Sequence, residues 1–432
     1  MDTVNIGMVG MGTVGGAALR ILDENAEEIE RRLGFKLWVR ATASLEVEAR
    51  SESNNRLLTR DWREAVEHPD VQVVVEVVGG TTVAYEVQKA ALERGRPVIT
   101  ANKELLGLRG AELAQLAAQH NTSLHMEASC GGGIPILNAL REGIAADRIE
   151  AVYGILNGTC NFILTEMERT GAAFASILAE AQKRGYAEAN PTADVEGYDA
   201  RSKLAILAAF CFGARVPTDA IFREGISRLG SVDFAYAHRL GCTIRLIAGA
   251  TRGANGLGLF VRPVLVPQAA ILSKVEGSYN AIWVKGRYGE DTLYYGRGAG
   301  KPTGVAVVSD IMRAARDLRH GASLRAPAFA FWKLEEVARA GIEAQPRPYY
   351  LRFLVEDRVG IIAQIAAVLA EHHINIDAVL EEPCAETHNL PFMISVKPTT
   401  ESAISAALAK MKDFDFLCEP PLALPIETSL AG

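Results

Sequence analysis

"VNIGMVGMGTVGGAALRIL" (4–22) opens with a short apolar run, passes through a glycine cluster and continues as an apolar helical pattern. Residues 4–9 read as a buried strand, and Gly10, Gly12 and Gly15 form a G-x-G-x-x-G that opens a helix. In that context each glycine has a task. The first makes the tight turn, the second lets backbone approach a pyrophosphate, and the third lets helix and strand pack closely. The helix N-terminus adds unpaired N–H groups and about half a positive charge. A bare glycine turn is often only structural, so the strand before and the helix after carry the reading. They set Gly10, Gly12, Thr13, Val14 and Gly15 against a dinucleotide, NADP or NAD.

Downstream, "KLWVRATAS" (36–44), "VQVVVEVVGG" (71–80), "RPVITAN" and "SLHMEAS" read as strands, separated by helical patterns such as "AYEVQKAALERG" and "GAELAQLAAQHN". Alternating strand and helix give an α/β, Rossmann-type parallel sheet. An acid closing the second strand would hold the ribose diol of NAD. Here Arg40 and Ser44 occupy that region and Glu46 and Glu48 follow late, so the choice stays open and leans to NADP. From residue 136 to 299, helices and several alternating strands predict an α+β catalytic and dimerisation domain with a mostly antiparallel sheet. The proline-rich 326–346 reads as a linker. After it, strand, helix, strand, strand, helix, strand over 347–432 is a ferredoxin-like order. The nucleotide domain is expected at 1–135, with 300–325 returning to it.

A chain of 432 residues suits several domains, and 49% hydrophobic with 22% charged residues is a globular composition. A net charge of −7 without a basic patch argues against nucleic acid and anionic membranes as partners. The six cysteines lack CxxC spacing, as expected of reduced thiols rather than a zinc site. No signal-peptide pattern and no long apolar run occurs, so the expected location is cytoplasmic.

The stretch "ADVEGYDARSKLAIL" (193–207) sets Asp199 and Lys203 four apart, on one helix face. Such pairs are usually exposed bridges worth about 0.3–0.5 kcal/mol. A lysine whose pKa is lowered by its surroundings can instead move a proton at a hydroxyl, the step a nicotinamide enzyme needs. Glu188, in "RGYAEANP", suits a substrate ammonium. Lys103, in "VITANKELL", lies just past a parallel strand, at the edge where ligands sit.

Together "GMGTVG", "VITANKELL", "EASCGGGIPIL", "GILNGTCNFIL" and "GYAEANPTADVEGYDARSKLAIL" resemble homoserine dehydrogenase, in family order from residue 4 to about 325. The resemblance implies reversible NAD(P)-dependent reduction of L-aspartate 4-semialdehyde to L-homoserine, on the way to threonine and methionine. It implies Lys203 as proton donor, Lys103 between cofactor and substrate, Glu188 and Asp199 on the substrate, and Gly300 of "GRGAGKPTG" near the nicotinamide. It also implies a monovalent cation, usually sodium, on Glu127 and the carbonyls of Cys130, Gly132 and Ile134, oxygen ligands suited to a hard cation. The chain departs from the family pattern at Cys160, Asn190 and Arg201–Ser202, none of them a proton carrier.

"YYLRFLVEDRVGIIAQIAAVLAEHHINIDAVLEE" resembles an ACT domain, with Asp357, Gly360 and Asn375 in its ligand-loop pattern. That implies feedback by an amino acid, with threonine the expected effector, and edge-to-edge pairing in a homodimer or homotetramer. Removal of 346–432 is expected to spare activity and abolish the threonine response. Two rivals are another Rossmann reductase of an amino-acid intermediate and a non-catalytic amino-acid sensor.

Overall fold

The computed structural model describes residues 3–47, 51–53, 55–321, 327–341, 345–381 and 389–431; Glu48 and Cys384 lie outside them. The chain divides into two compact units: Met1–Val152 with Arg201–Ile221 and Asn280–Val337, and Tyr153–Ala200 with Phe222–Tyr279 and Ala338–Gly432.

The first unit holds a seven-stranded sheet of order β3-β4-β2-β1-β5-β6-β7. Its strands are β1 Thr3–Val9, β2 Lys36–Ala43, β3 Ser51–Ser53, β4 Arg56–Thr59, β5 Val73–Glu76, β6 Val98–Thr100 and β7 Leu124–His125. All neighbours run parallel except β3 and β4. Val73, Val74 and Val75 are fully buried, as befits β-branched residues in a strand covered on both faces. The run 71–80 yields four strand residues, Val73–Glu76, and then a loop in which Gly79 and Gly80 take positive φ. One feature departs from the sequence reading. The β3–β4 hairpin, turning at Asn55 with φ of +61°, was not expected.

A six-stranded sheet has the order β13-β12-β8-β10-β11-β9. Its strands are β8 Ile149–Ile155, β9 Phe222–Arg223, β10 Cys242–Gly253, β11 Gly256–Pro267, β12 Tyr279–Gly286 and β13 Asp291–Arg297. β10 and β11 pair antiparallel along their length, and β9 joins β11 in parallel.

Within the second unit a four-stranded sheet runs β15-β16-β14-β17: β14 Arg347–Glu356, β15 Ile376–Glu381, β16 Asn389–Thr399 and β17 Leu422–Pro425. Strand side chains alternate. Tyr349, Leu351, Phe353 and Val355 of β14 therefore join one core with Ile361, Ile365 and Leu369 of helix Ile361–Glu371. Tyr350 and Arg352 face the other way, onto helix Ser231–Arg239. The Tyr350 hydroxyl donates to Asp233 at 2.6 Å and Arg352 donates to Asp233 at 2.8 Å, with Asp233 fully buried. A second tie joins Arg262 of β11, itself buried, to Glu401 and Glu224, and the Tyr349 hydroxyl donates to Glu401 at 2.8 Å. The Glu427 N–H donates to the Leu265 carbonyl at 2.9 Å. The C-terminal module is thus seated on its neighbours by buried charge. Among the described residues no helix is long and apolar enough to cross a membrane.

Candidate active site

The glycine turn lies at the edge where the parallel strands end. Gly10, directly after β1, takes φ of +109°, which a β-carbon rarely tolerates. Space is closed too. A Cβ on Gly10 would come 2.5 Å from the Val77 carbonyl oxygen, and one on Gly15 would come 2.2 Å from that of Gly10. Gly12, the cap of helix Thr13–Glu24, has nothing within 4 Å of that position. Closed beneath and open above, the turn fits the pyrophosphate of a dinucleotide. Gly304 of helix Lys301–His320 packs on Ala17, a Cβ there falling 2.9 Å from the Ala17 Cβ. Both residues sit about one turn into their helices. Gly300 caps the same helix, with φ of +77°.

Lys103 starts helix Lys103–Gln119 just past β6, at the same edge, and is half-buried. Asn102 caps that helix: its Oδ1 accepts the Leu105 N–H at 3.1 Å and its Nδ2 donates to the Gly80 carbonyl at 2.7 Å.

Lys203 lies in the second turn of helix Tyr198–Phe212. It is 7% exposed, so the solvated-bridge reading fails. The Cys130 thiol stands 4.0 Å from its carbonyl oxygen, which sets the "EASCGGGI" turn against this helix. Asp199, one turn earlier, accepts from Asn157 Nδ2 at 2.9 Å, and the same amide donates to Asp194 at 2.7 Å. One side-chain amide thus holds two carboxylates. Asn157 also caps helix Gly158–Thr170, its Oδ1 accepting the Cys160 N–H at 2.8 Å. Glu188 lies on an exposed loop, where its carbonyl accepts from Gln182 at 3.0 Å. Asn157 escaped the sequence reading, although an asparagine ahead of "GTC" and an apolar helix is a capping signal.

Glu127 is buried, and its carboxylate accepts the Leu137 N–H at 2.9 Å and the Asn138 N–H at 2.6 Å. Burial, aided by the charge of Asp310, pushes its pKa up to about 7. Gly131 and Gly132 follow with positive φ, and a Cβ on Gly132 would come 2.3 Å from the Gly298 backbone. The Ile134 carbonyl accepts the Ile136 N–H at 2.8 Å. Among the described residues no group of three or more His, Cys, Asp or Glu gathers as a metal site.

In the C-terminal module Asp357 and Gly360 share the loop before helix Ile361–Glu371, Gly360 capping it with φ of +92°. Asn375 lies beyond the other end of that helix. An eleven-residue helix is roughly 16 Å long, so one chain does not bring these three together.

The family profile described as homoserine dehydrogenase matches residues 135–312, that of its NAD-binding domain residues 10–127, and that of the ACT domain residues 349–415. The homoserine dehydrogenase of Neisseria gonorrhoeae is 41% identical over 432 residues, covering 99% of each chain. The crystal structure of a homoserine dehydrogenase from Thiobacillus denitrificans superposes with a TM-score of 0.90 at 39% identity, covering 98% of each chain. A hyperthermophilic archaeal homoserine dehydrogenase in complex with NADPH gives a TM-score of 0.62 at 26% identity, over 72% of this chain and 98% of that one. Fold, nucleotide turn and end-to-end likeness agree: the chain belongs to the homoserine dehydrogenase family of NAD(P)-dependent oxidoreductases and carries an ACT domain.

Proposed function

We propose that the chain interconverts L-aspartate 4-semialdehyde and L-homoserine, with Lys203 giving the proton to the aldehyde oxygen and taking it back in reverse. The observation that carries this is the burial of Lys203 on a helix that also presents Asp199. A bound nicotinamide cofactor supplies the hydride. Gly10 to Gly15 seat its phosphates, with Gly300 alongside and Lys103 between cofactor and substrate. Asp199, steadied by Asn157, orients the hydroxyl side, and Glu188 receives the amino group from its loop. A monovalent cation, sodium by preference, fits Glu127 with the carbonyls of Cys130, Gly132 and Ile134. Its positive charge would return a carboxylate whose pKa burial has raised to about 7 to the ionised form. Purified protein given NADPH should turn over L-aspartate 4-semialdehyde at least ~10-fold better than the aldehyde one methylene longer. Equal turnover of the two would sink the substrate assignment.

NADPH is the preferred donor in this reading. Ser44 donates its N–H to the Thr59 carbonyl at 3.0 Å, which brings exposed Arg60 beside the end of β2, where a 2′-phosphate would lie. Replacing Arg60 by alanine should raise KM for NADPH on the order of ten- to a hundred-fold, the worth of one charge-assisted hydrogen bond, and leave KM for NADH unmoved. Equal changes for both cofactors would point away from phosphate recognition.

The ACT module is read as the seat of threonine feedback, with Asp357, Gly360 and Asn375 on the ligand. Their separation along the helix favours a ligand held between two copies. β15 suits such pairing, since among the described residues β16 alone lines it. Threonine should inhibit the parent, and Asp357→Ala should weaken that inhibition by ~10-fold or more. A parent indifferent to threonine would remove this assignment.

A further inference from the structure

Glu76 is a fully buried carboxylate for which the mechanism above has no use. It ends β5, in register with Val9, the residue before the glycine turn, and with Thr100, the last residue of β6. Its Oε1 accepts the Val78 N–H at 2.9 Å. Its Oε2 accepts from Gln88 Nε2 at 2.7 Å and from the Thr100 hydroxyl at 2.9 Å. Thr100 Oγ1 in turn accepts the Asn102 N–H at 3.0 Å, and Asn102 Nδ2 donates to the Gly80 carbonyl at 2.7 Å. The bonds close a ring from Glu76 through the loop Val77–Gly80 to Asn102, Thr100 and back. Both halves of that ring touch the cofactor end. Val77 packs beneath Gly10 and Gly15, and Asn102 caps the helix that Lys103 begins.

A carboxylate withdrawn from water costs a core strand more than valine would, so its contribution here is geometric rather than cohesive. We propose that Glu76 is a positioning residue of the active site: its buried carboxylate locks the loop under the glycine turn and the turn carrying Lys103 into one register. The inference rests on the reading that Lys103 works between cofactor and substrate. Gln in its place keeps the shape but replaces one acceptor oxygen by an N–H₂, so the ring loses a bond to Val78 or keeps its bonds only with Gln88 and Thr100 turned round.

The test is steady-state kinetics of full-length Glu76→Gln, Thr100→Val and the double variant, with NADPH affinity and thermal midpoint measured alongside. Misplacing a reacting group by an ångström costs up to ~10²-fold, so kcat should fall ~10–100-fold in each single variant. NADPH affinity should move far less. Because both residues belong to one ring, the double variant should lose little beyond the worse single. A kcat near the parent's with a lowered midpoint would reduce Glu76 to a structural polar group, and multiplicative losses would break the ring argument. If Glu76→Gln does not fold, Thr100→Val decides, since it deletes only one hydroxyl. Lys103→Ala separates the two readings. Undiminished turnover there overturns the role of Lys103 itself, whereas a loss there without one in Thr100→Val overturns only the positioning claim.

Discussion

Replacing Lys203 by alanine should lower kcat by ~10²–10⁴, the usual worth of a positioned general acid. The reason is local. Lys203 lies in the second helical turn with 7% of its surface exposed, beside a carboxylate that Asn157 holds in place. A side chain so enclosed is largely withheld from bulk water. Lys203→Met keeps the packed stem and deletes the charge, so it should lose activity equally while retaining the thermal midpoint. Lys203→Arg should not rescue, because guanidinium does not give up its proton at working pH. Turnover near the parent value in a folded Lys203→Met enzyme would remove the proton-donor role.

The second large effect is on stability. Arg352→Ala leaves Asp233, with no exposed surface, facing only the Tyr350 hydroxyl and the Gly230 N–H. Removing one partner of a buried pair typically costs about 3–5 kcal/mol. The urea midpoint should fall accordingly, and the double change Asp233→Leu with Arg352→Met should recover much of the loss, since no buried charge is then stranded. A midpoint unchanged in Arg352→Ala would mean that the seam is solvated in solution. The same seam revises the expectation that 346–432 can be removed cleanly. Truncation strips Arg262 of Glu401, Asp233 of Arg352, and Tyr236 of the Pro391 carbonyl that its hydroxyl reaches at 2.8 Å. A shortened chain would expose the face built to receive the module, so lost activity in it would say nothing about regulation.

The nucleotide end was legible because its constraints are local. A strand, three spaced glycines and a helix sit within nineteen residues, and the Val73–Val75 run carries its own burial. What stayed hidden depends on partners far along the chain. Glu76 reads as one acid in an apolar run, and its three donors come from Val78, Gln88 and Thr100 on separate elements. Arg352 alternates with Leu351 and Phe353 and so reads as a solvent-facing position; only the fold puts Asp233 opposite. How fully Lys203 is buried was not legible either, because charge and apolar residues share that helix and the turn of Cys130 that rests on it lies about seventy residues away. The β3–β4 hairpin failed to announce itself for a different reason. Its strands have three and four residues, too short for a period to emerge.

The reading turns on where the Lys203 amine points when substrate is present. A crystal structure with L-homoserine and oxidised cofactor bound measures it directly. The expected result is Lys203 Nζ within ~2.6–3.2 Å of the homoserine hydroxyl oxygen, with Asp199 on the same side. An amine turned away from that oxygen, with another group in hydrogen-bond reach of it, would contradict the mechanism.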